Sequence, residues 1–239
     1  MIDFHTHILP AIDDGSQSMQ ESIQMLEEEK EQGVESIVLT PHFYATHDAV
    51  SSYLKKREDC YQKLLKETKA LEDQSGEAFP RLYLGAEIYY FPGIGRAKML
   101  SELCIRGTDV VLVELPFAQW TKEIYDDIKE IIEKQNYTVV LAHIERYFEF
   151  QKKKEIWKEM FELPLYAQMN GGSFIDRKKQ KFCFKFMKKD SEILMGSDCH
   201  NMSYRLPNLF EARKSVEKKF GSEALDEIDE LSEELLGLA

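Results

Sequence analysis

Two histidines near the start of the chain have the spacing of a metal-ligand pair. His5 and His7 are separated by one threonine. Side chains at positions i and i+2 of an extended strand point to the same side, so the two imidazoles can converge on one point. Imidazole nitrogen is among the commonest protein ligands of transition metals. The segment therefore predicts a metal site at the end of the first strand.

Further side chains that can bind metals follow other β-rich segments of the chain. They are His42, Glu87, Glu114, His143, Asp198 and His200. Taken singly, each also fits an ordinary role, such as an acidic residue at a helix N-terminus or a histidine bonded to a carbonyl. Five of the six histidines lie at these strand ends, which favours a shared metal site over chance. The sixth, His47, is predicted to be a surface residue.

The number and type of donors indicate more than one ion. Eight side chains exceed the four to six positions around one ion, so two or three divalent metals are expected, with a carboxylate bridging. A mixture of imidazoles and carboxylates without thiolate suits Mn, Fe or Zn better than Mg or Ca.

Strands that alternate with helices must bring these donors together. Seven strands are predicted, the first within the segment 3–10 and the others at residues 34–40, 82–86, 109–113, 137–142, 165–169 and 191–196. This alternation predicts a largely parallel α/β sheet, and the chain length favours a closed β/α barrel in one domain over residues 1–239. No glycine-rich nucleotide-binding motif is present. The active site of such a barrel lies at the carboxyl ends of the strands, where the eight donors stand.

Composition limits the classes of function. The formal net charge of −12 argues against a nucleic-acid surface or an anionic membrane as partner. No apolar stretch is long enough to span a bilayer, and the N-terminus lacks a signal segment. The four cysteines show no close pairing, so we expect reduced thiols and a cytoplasmic protein.

The motifs around these donors resemble those of the PHP (polymerase and histidinol phosphatase) superfamily. The similarity spans nearly the whole chain and is carried by His5-x-His7, Pro41-His42, Glu87, Glu114, the segment 143–146 and the segment 197–201. The Asp13-Asp14-Gly15 segment and the residues around Glu114 most resemble the bacterial manganese-dependent protein-tyrosine phosphatases of capsule and exopolysaccharide operons. In this family Ile144 is usually proline and Tyr147 is usually asparagine, so the loop carrying Arg146 is expected to differ.

The resemblance implies a fold, a cofactor, a substrate and a partner. The fold is a distorted (β/α)7 barrel of the PHP type, with a trinuclear site, most often of Mn, made by the same eight residues. Arg146 and Arg205 are expected to bind the substrate phosphate. The implied substrate is a phosphotyrosine protein, a membrane-associated bacterial tyrosine autokinase. Aromatic residues after strand ends are candidates to flank its phenyl ring: Phe43, Tyr44, Tyr89, Tyr90, Phe91, Phe117 and Trp120.

These residues suggest a mechanism of phosphate ester hydrolysis. Two cations that share a water lower its pKa toward neutrality and supply a hydroxide for in-line attack on phosphorus. Arg146 and Arg205 offer planar, bidentate donors to the phosphoryl oxygens. Since the leaving phenol has a pKa of about 10, the need for a general acid is modest. Asp14 is a candidate for handling a proton or for contacting the metal ligands, and an Asp-Gly turn is the alternative.

Four other hypotheses remain open from the sequence. Cys199 and Arg205 have the spacing of thiolate-dependent tyrosine phosphatases, although the loop between them has no glycine to help its amides converge on a phosphate. Histidinol phosphate or another small phosphomonoester is an alternative substrate. An amidohydrolase also begins with His-x-His but usually carries a bridging lysine. A binding module for a kinase, without activity, would leave a costly cluster of polar groups unused.

Overall fold

Nine strands and nine α-helices make up a mixed α/β fold in the computed structural model, which describes residues 1–189 and 192–238. The strands are β1 (Ile2–Thr6), β2 (Ser36–Leu39), β3 (His42–Phe43), β4 (Arg81–Leu84), β5 (Glu87–Tyr89), β6 (Val110–Glu114), β7 (Thr138–Leu141), β8 (Tyr166–Asn170) and β9 (Ile193–Gly196). The helices are α1 (Met19–Glu31), α2 (Val50–Ser75), α3 (Leu100–Leu103), α4 (Lys122–Glu133), α5 (Glu155–Met160), α6 (Gly171–Ile175), α7 (Arg177–Met187), α8 (Leu209–Phe220) and α9 (Glu223–Leu235). Ser191, the predicted start of the last strand, and Ala239, the end of the predicted domain, lie outside the described residues.

The strands form a parallel barrel with seven positions. Sheet order is β1-β2-β4 in one sheet and β3-β5-β6-β7-β8-β9 in the other, and every pairing is parallel. β2 continues into β3, and β4 into β5, after interruptions of two residues each. At the other edge β1 meets β9, because the Asp198 N–H donates to the His5 carbonyl at 2.8 Å and the His7 N–H donates to the Cys199 carbonyl at 2.9 Å. The ring therefore closes, and the predicted distorted (β/α)7 architecture is confirmed.

Two positions of the barrel each hold two short strands where the sequence predicted one. The first break follows Leu39 and includes Pro41, which has no N–H to donate to a neighbouring strand. The second break is at Gly85, whose added Cβ would lie 3.2 Å from the Ile105 side chain. Hydrogen bonds from Gly85 N–H to the Leu39 carbonyl and from Glu87 N–H to the Pro41 carbonyl keep the two segments in register.

Alternate residues of the strands face two apolar regions. Val38, Leu112 and Val140 belong to the cluster inside the barrel, together with Leu235 at the end of α9. Their sequence neighbours, such as Val113, pack in the larger cluster between strands and helices. Apolar side chains fill the end of the barrel interior that α9 covers. The polar site lies at the opposite end, where the carboxyl ends of the strands meet.

Helix boundaries follow local signals in the sequence. α1 begins after Ser18, whose side chain accepts a hydrogen bond from the Glu21 N–H. α2 ends at Gly76, which adopts φ +77° and terminates the helix in the left-handed conformation. Among the described residues, no helix is both long enough and apolar enough to cross a membrane.

Candidate metal centre

The carboxylate of Glu87 lies at the centre of a buried polar cluster. Its Oε2 atom is 2.9 Å from His42 Nδ1 and 3.2 Å from His5 Nε2. The same oxygen is 3.3 Å from His7 Nε2, and the Oε1 atom is 2.9 Å from His143 Nε2. Both oxygens are therefore shared among four imidazoles, the arrangement expected of a carboxylate that bridges cations.

Three overlapping groups of donor atoms have a spacing that could hold metal ions. Within each group the ligand atoms lie within 4.8 Å of one another. The groups are His5, His7 and Glu87; His42, Glu87 and Glu114; and His7, Asp14, His42 and His200. Six of the eight predicted ligands are included, and Asp14 joins them. Since the groups share members, ions held by them would be close neighbours.

The remaining two predicted ligands border these groups. His143 Nε2 is 3.5 Å from Glu114 Oε1, and Asp198 Oδ1 is 3.4 Å from His7 Nε2. His143 has φ +32° and Asp198 has φ +54°, a region that residues other than glycine rarely adopt. Such backbone strain persists only where the surrounding structure enforces it, and it is concentrated at functional sites. The structure brings all eight predicted side chains into one cluster.

Asp13 orients two of the imidazole-bearing segments. Its Oδ2 atom accepts the Nδ1–H of His7 at 2.8 Å and the backbone N–H of His42 at 2.9 Å. Its Oδ1 atom accepts the backbone N–H of Gly15 at 3.0 Å. A proton on His7 Nδ1 leaves Nε2 free to bind a cation. Asp13, rather than Asp14, therefore bonds to Gly15 in the Asp-Gly turn. Its contacts with His7 and His42 were not predicted from the sequence.

Gln168 is a second orienting residue that the sequence analysis missed. Its Oε1 atom lies 3.0 Å from His5 Nδ1 and accepts the backbone N–H of His143 at 2.7 Å. Its amide group donates to Asn170, which in turn donates to Asp198 Oδ2 at 2.6 Å. The sequence signal that could have identified Gln168 is its pairing with Asn170, since the two polar residues lie two positions apart in β8.

The charges of the cluster compensate one another. Burial lowers the pKa of His7, but the Asp13 carboxylate outweighs burial and raises this pKa to about 10. His143 is also buried, and hydrogen bonds to Glu114 and Glu87 raise its pKa to about 9. Although burial opposes it, the charges of neighbouring imidazoles hold the pKa of Glu87 well below its usual range. Cations binding here would displace protons from the imidazoles.

Unsatisfied ligand atoms support the fit of the cluster to metal ions. Among the described residues, His42 Nδ1, Glu87 Oε2 and His200 Nε2 are buried and make no hydrogen bond of acceptable geometry, although the first two lie 2.9 Å apart. A buried polar atom without a partner is destabilising, and native structures contain few of them. Since all three atoms belong to the donor groups described above, coordination of cations would satisfy them. The donor set fits divalent transition metals.

Asp14 lies at the solvent-facing edge of the cluster. Its Oδ1 atom is 3.5 Å from Nε2 of both His42 and His200, and its side chain is 68% exposed. The proximity of His200, together with the charges of the other nearby histidines, lowers the pKa of Asp14. The carboxylate is therefore ionised at neutral pH.

Two arginines meet the cluster at Asp198. Arg205 Nη2 is 2.6 Å from Asp198 Oδ2, and Arg146 Nη1 is 3.5 Å from the same oxygen. The guanidinium carbon of Arg146 lies 4.7 Å from the centre of the Phe117 ring. The Arg205 loop is fixed by Asn201, whose Oδ1 atom accepts the Arg205 N–H at 3.2 Å. Both arginine side chains are about one-third exposed and can meet a ligand from solvent.

Tyr147 and Glu145 fix the loop that carries Arg146. The Tyr147 hydroxyl accepts the backbone N–H of Leu115, the residue after Glu114, at 2.9 Å. Glu145 is buried, and its Oε1 atom accepts the Ser173 hydroxyl at 2.8 Å. The tyrosine that departs from the usual family residue therefore links the Arg146 loop to the end of β6.

Cys199 is enclosed below the site. The residue is fully buried, and its Sγ atom is 3.7 Å from Glu29 Oε1. Burial and the neighbouring acids raise the pKa of the thiol well above its usual range. A nucleophilic cysteine needs an accessible thiolate, so the thiolate hypothesis has no support in this geometry.

Three of the candidate aromatic residues border the site. Tyr44 lies 5.2 Å from His42 and 5.5 Å from Tyr89, and Phe117 lies 5.7 Å from His143, all between ring centroids. These three side chains are partly exposed. The candidates Phe43, Tyr90 and Trp120 are instead buried in the core, so the expectation that they flank a substrate ring was wrong.

Comparison with known proteins places the chain in a family. The family model for capsular polysaccharide synthesis, CpsB/CapC, matches residues 1–233. The chain belongs to this family. It is similar to tyrosine-protein phosphatase CpsB of Streptococcus agalactiae, with 30% identity over 95% of this chain and 94% of the relative. It is also similar to tyrosine-protein phosphatase YwqE of Bacillus subtilis, with 28% identity over 99% of this chain and 91% of the relative.

Solved structures agree with this assignment. A structure from work on YwqE of Bacillus subtilis and CpsB of Streptococcus pneumoniae, described as unique metal-dependent tyrosine phosphatases, superposes with a TM-score of 0.80 and 26% identity. The alignment covers 100% of this chain and 95% of that chain. The lactonase Lmo2620 from Listeria monocytogenes has a TM-score of 0.52 at 12% identity, over 97% of this chain and 90% of that one, which is a likeness of fold alone.

Proposed function

We propose that this chain is a metal-dependent protein-tyrosine phosphatase. The carrying observation is the position of Arg146 and Arg205, which contact the edge of a Glu87-centred cluster of imidazoles and carboxylates. Cation ligands beside two solvent-accessible guanidinium groups can stabilise the negative charge of a phosphoryl group during ester hydrolysis. The relatives named as tyrosine phosphatases support the choice of substrate.

We propose that the eight predicted ligands hold two or three divalent ions, most readily Mn, with Fe and Zn as the other candidates. The ligands are His5, His7, His42, Glu87, Glu114, His143, Asp198 and His200, with Asp14 as an additional oxygen donor at the rim. When bound, such ions would lower the pKa of a shared water and neutralise charge on the phosphoryl group. An ionised Asp14 suits cation binding better than proton donation, because a general acid must carry a proton at the working pH.

The side chains around the cluster have distinct tasks in this proposal. Arg146 and Arg205 bind and orient the phosphoryl oxygens through planar, charge-assisted hydrogen bonds. Phe117 lies against the Arg146 guanidinium and restricts its movement. Tyr44 and Phe117 stand on either side of the histidine cluster, where they would contact the phenyl ring of phosphotyrosine.

The biological setting belongs to the same proposal. We infer that residues 1–239 form a single PHP metallophosphatase domain whose substrate is a phosphotyrosine-bearing bacterial tyrosine autokinase of capsule or exopolysaccharide synthesis. The description of the matching family as one of capsular polysaccharide synthesis supports this setting. We also infer a cytoplasmic location, since all four cysteines are free thiols, as in a reducing compartment.

The test is phosphate release from a phosphotyrosine peptide by metal-stripped protein, with and without added Mn²⁺. We expect activity only with metal, and we expect its loss in His5→Ala. His47→Ala is the matched control, because His47 is exposed and outside the cluster. Activity that survives metal removal, or a fully metal-loaded protein without turnover, would contradict the proposal. Faster hydrolysis of histidinol phosphate than of the peptide would reassign the substrate to small phosphomonoesters.

A further inference from the structure

A groove lined by aromatic and basic side chains lies between α5 and α7. We call it the basic groove; its volume is about 690 Å³ and its aromatic lining comprises Phe148, Trp157, Phe161, Phe182 and Phe186. Its lysines are Lys154, Lys158, Lys178, Lys181, Lys185 and Lys189. The groove takes no part in the metal centre.

The aromatic rings of the basic groove form one continuous surface. Phe148 lies 4.7 Å from Phe182 and 5.4 Å from Trp157, between ring centroids. Trp157 lies 4.8 Å from Phe161, which lies 5.0 Å from Phe186. Phe148 is 38% exposed, while the other four rings are partly or mostly covered. The rings therefore offer a concave floor that can accept an apolar or aromatic side chain.

The six lysines around this floor have no acidic partner among the residues that the structure describes. Within residues 1–189 and 192–238, no carboxylate lies within ion-pair distance of any of the six. The sequence from 152 to 189 contains eleven basic and four acidic residues, in a chain whose net charge is −12. Lys178, Lys181 and Lys185 recur at helical spacing on α7, next to Phe182 and Phe186. This side of the molecule is thus locally basic and complementary to an acidic ligand.

The basic groove begins next to the proposed phosphate-binding loop. Phe148 follows Arg146 by two residues, so their Cα atoms are at most about 7.6 Å apart. An extended peptide advances about 3.3 Å per residue, so a few residues beside a phosphotyrosine would reach the groove. Lys154 fixes this entrance, because its Nζ atom donates to the Phe148 carbonyl at 3.0 Å.

We propose that the basic groove binds an acidic segment, containing an aromatic residue, that flanks the phosphotyrosine of the protein substrate. This proposal rests on the proposed phosphatase function and adds a specificity determinant outside the metal centre. A concave aromatic floor with lysines around it suits a peptide that places a ring inside and carboxylates at the rim. A flat anionic membrane would reach the lysines but would not fill the concave floor.

The test compares two phosphotyrosine peptides and one small substrate. One peptide carries Asp, Glu and Phe beside the phosphotyrosine, and the other carries Asn, Gln and Ala instead. The variant is Lys181→Glu with Lys185→Glu, both on the exposed face of α7. The matched control is Lys63→Glu with Lys66→Glu on α2, which makes the same charge change at exposed positions outside the groove. Phenyl phosphate reports the metal centre alone.

We expect the α7 variant to raise KM for the acidic peptide about tenfold or more, with kcat and phenyl phosphate turnover unchanged. The neutral peptide and the α2 control should show no such change. Equal KM values for the acidic peptide in the wild type and the α7 variant, with phenyl phosphate still hydrolysed, would overturn the groove proposal. No turnover of phenyl phosphate by wild type would instead overturn the phosphatase function. Loss of binding to phosphatidylserine vesicles in the variant, with peptide KM unchanged, would assign the groove to membranes and overturn the proposal.

Discussion

Replacement of Asp13 by asparagine tests whether ligand orientation controls metal binding. The Asp13 side chain is the acceptor in three hydrogen bonds, which come from His7 Nδ1–H, the His42 N–H and the Gly15 N–H. An asparagine has one oxygen and one NH₂ group, so in either flip its NH₂ faces a donor. If the NH₂ group faces His7, it favours the tautomer with a proton on Nε2, where the cation must bind.

The expected magnitude follows from these contacts. Loss of a carboxylate that orients a metal-binding histidine typically lowers metal affinity by about 10- to 100-fold, which corresponds to about 1.4–2.7 kcal/mol. We expect Asp13→Asn to fall in this range, because the substitution keeps the volume of the side chain and removes its charge. The activity at limiting metal should fall by a similar factor and recover in part when metal is in excess.

The assay is competition for Mn²⁺ between the metal-stripped protein and a fluorescent chelator. Asp59→Asn is the matched control, because Asp59 is exposed on α2 and takes no part in the cluster. The melting temperature of the metal-free variant separates weaker affinity from general unfolding. Affinity within about twofold of wild type, with unchanged kcat/KM, would refute the orientation argument, since the amide would then replace the carboxylate without effect.

Three further outcomes are expected from the same structure. Gln168→Ala should lower metal affinity about tenfold in the chelator assay, because it removes the hydrogen bonds that orient the His5 ring and the His143 backbone. Cys199→Ser should keep at least about half of the phosphatase activity, because the buried thiol is not a nucleophile; loss of several orders of magnitude would reverse this conclusion. The melting temperature of metal-free protein should fall as the pH rises from about 6.5 to about 9–10, because folded His7 and His143 keep protons that the unfolded chain has released. The stabilisation that these protons provide is complete below pH 6.5, the ordinary pKa of histidine, because the folded pKa values are higher. Metal-loaded protein should not lose stability over this pH range, since bound cations replace the protons.

The positions of the candidate metal ligands were predictable because of one property of parallel barrels. Residues that follow parallel strands meet at one end, however distant they are in sequence. His5 and Asp198 illustrate this, since 193 positions separate them and their side chains come within 3.7 Å. Strand recognition alone was enough to place them together. The same logic failed for Trp120, since a position after a strand does not determine whether a side chain turns toward the site or the core.

The orienting residues were not predictable in the same way. Gln168 acts through His5, which is 163 positions away, and such a contact depends on the register of β8 against β7 and β9. The left-handed conformations of His143 and Asp198 could not be predicted from the sequence either, because neither residue type requires positive φ. The breaks in two strands had a local signal in Pro41 and Gly85, although their effect on the barrel depends on the neighbouring strands.

The contact between the arginines and Asp198 bears on how the site receives a phosphate. In the structure described here, Asp198 Oδ2 is held by Arg205 at 2.6 Å and by Asn170 at 2.6 Å. In the proposed function, a phosphoryl group bound by Arg205 would compete with Asp198 for the same guanidinium donors. Asn170 also donates to Asp198 and itself accepts from Gln168, so the carboxylate keeps a hydrogen bond when an arginine contact is lost. Gln168 and Asn170 of β8 would therefore hold Asp198 while Arg146 and Arg205 exchange it for a phosphate.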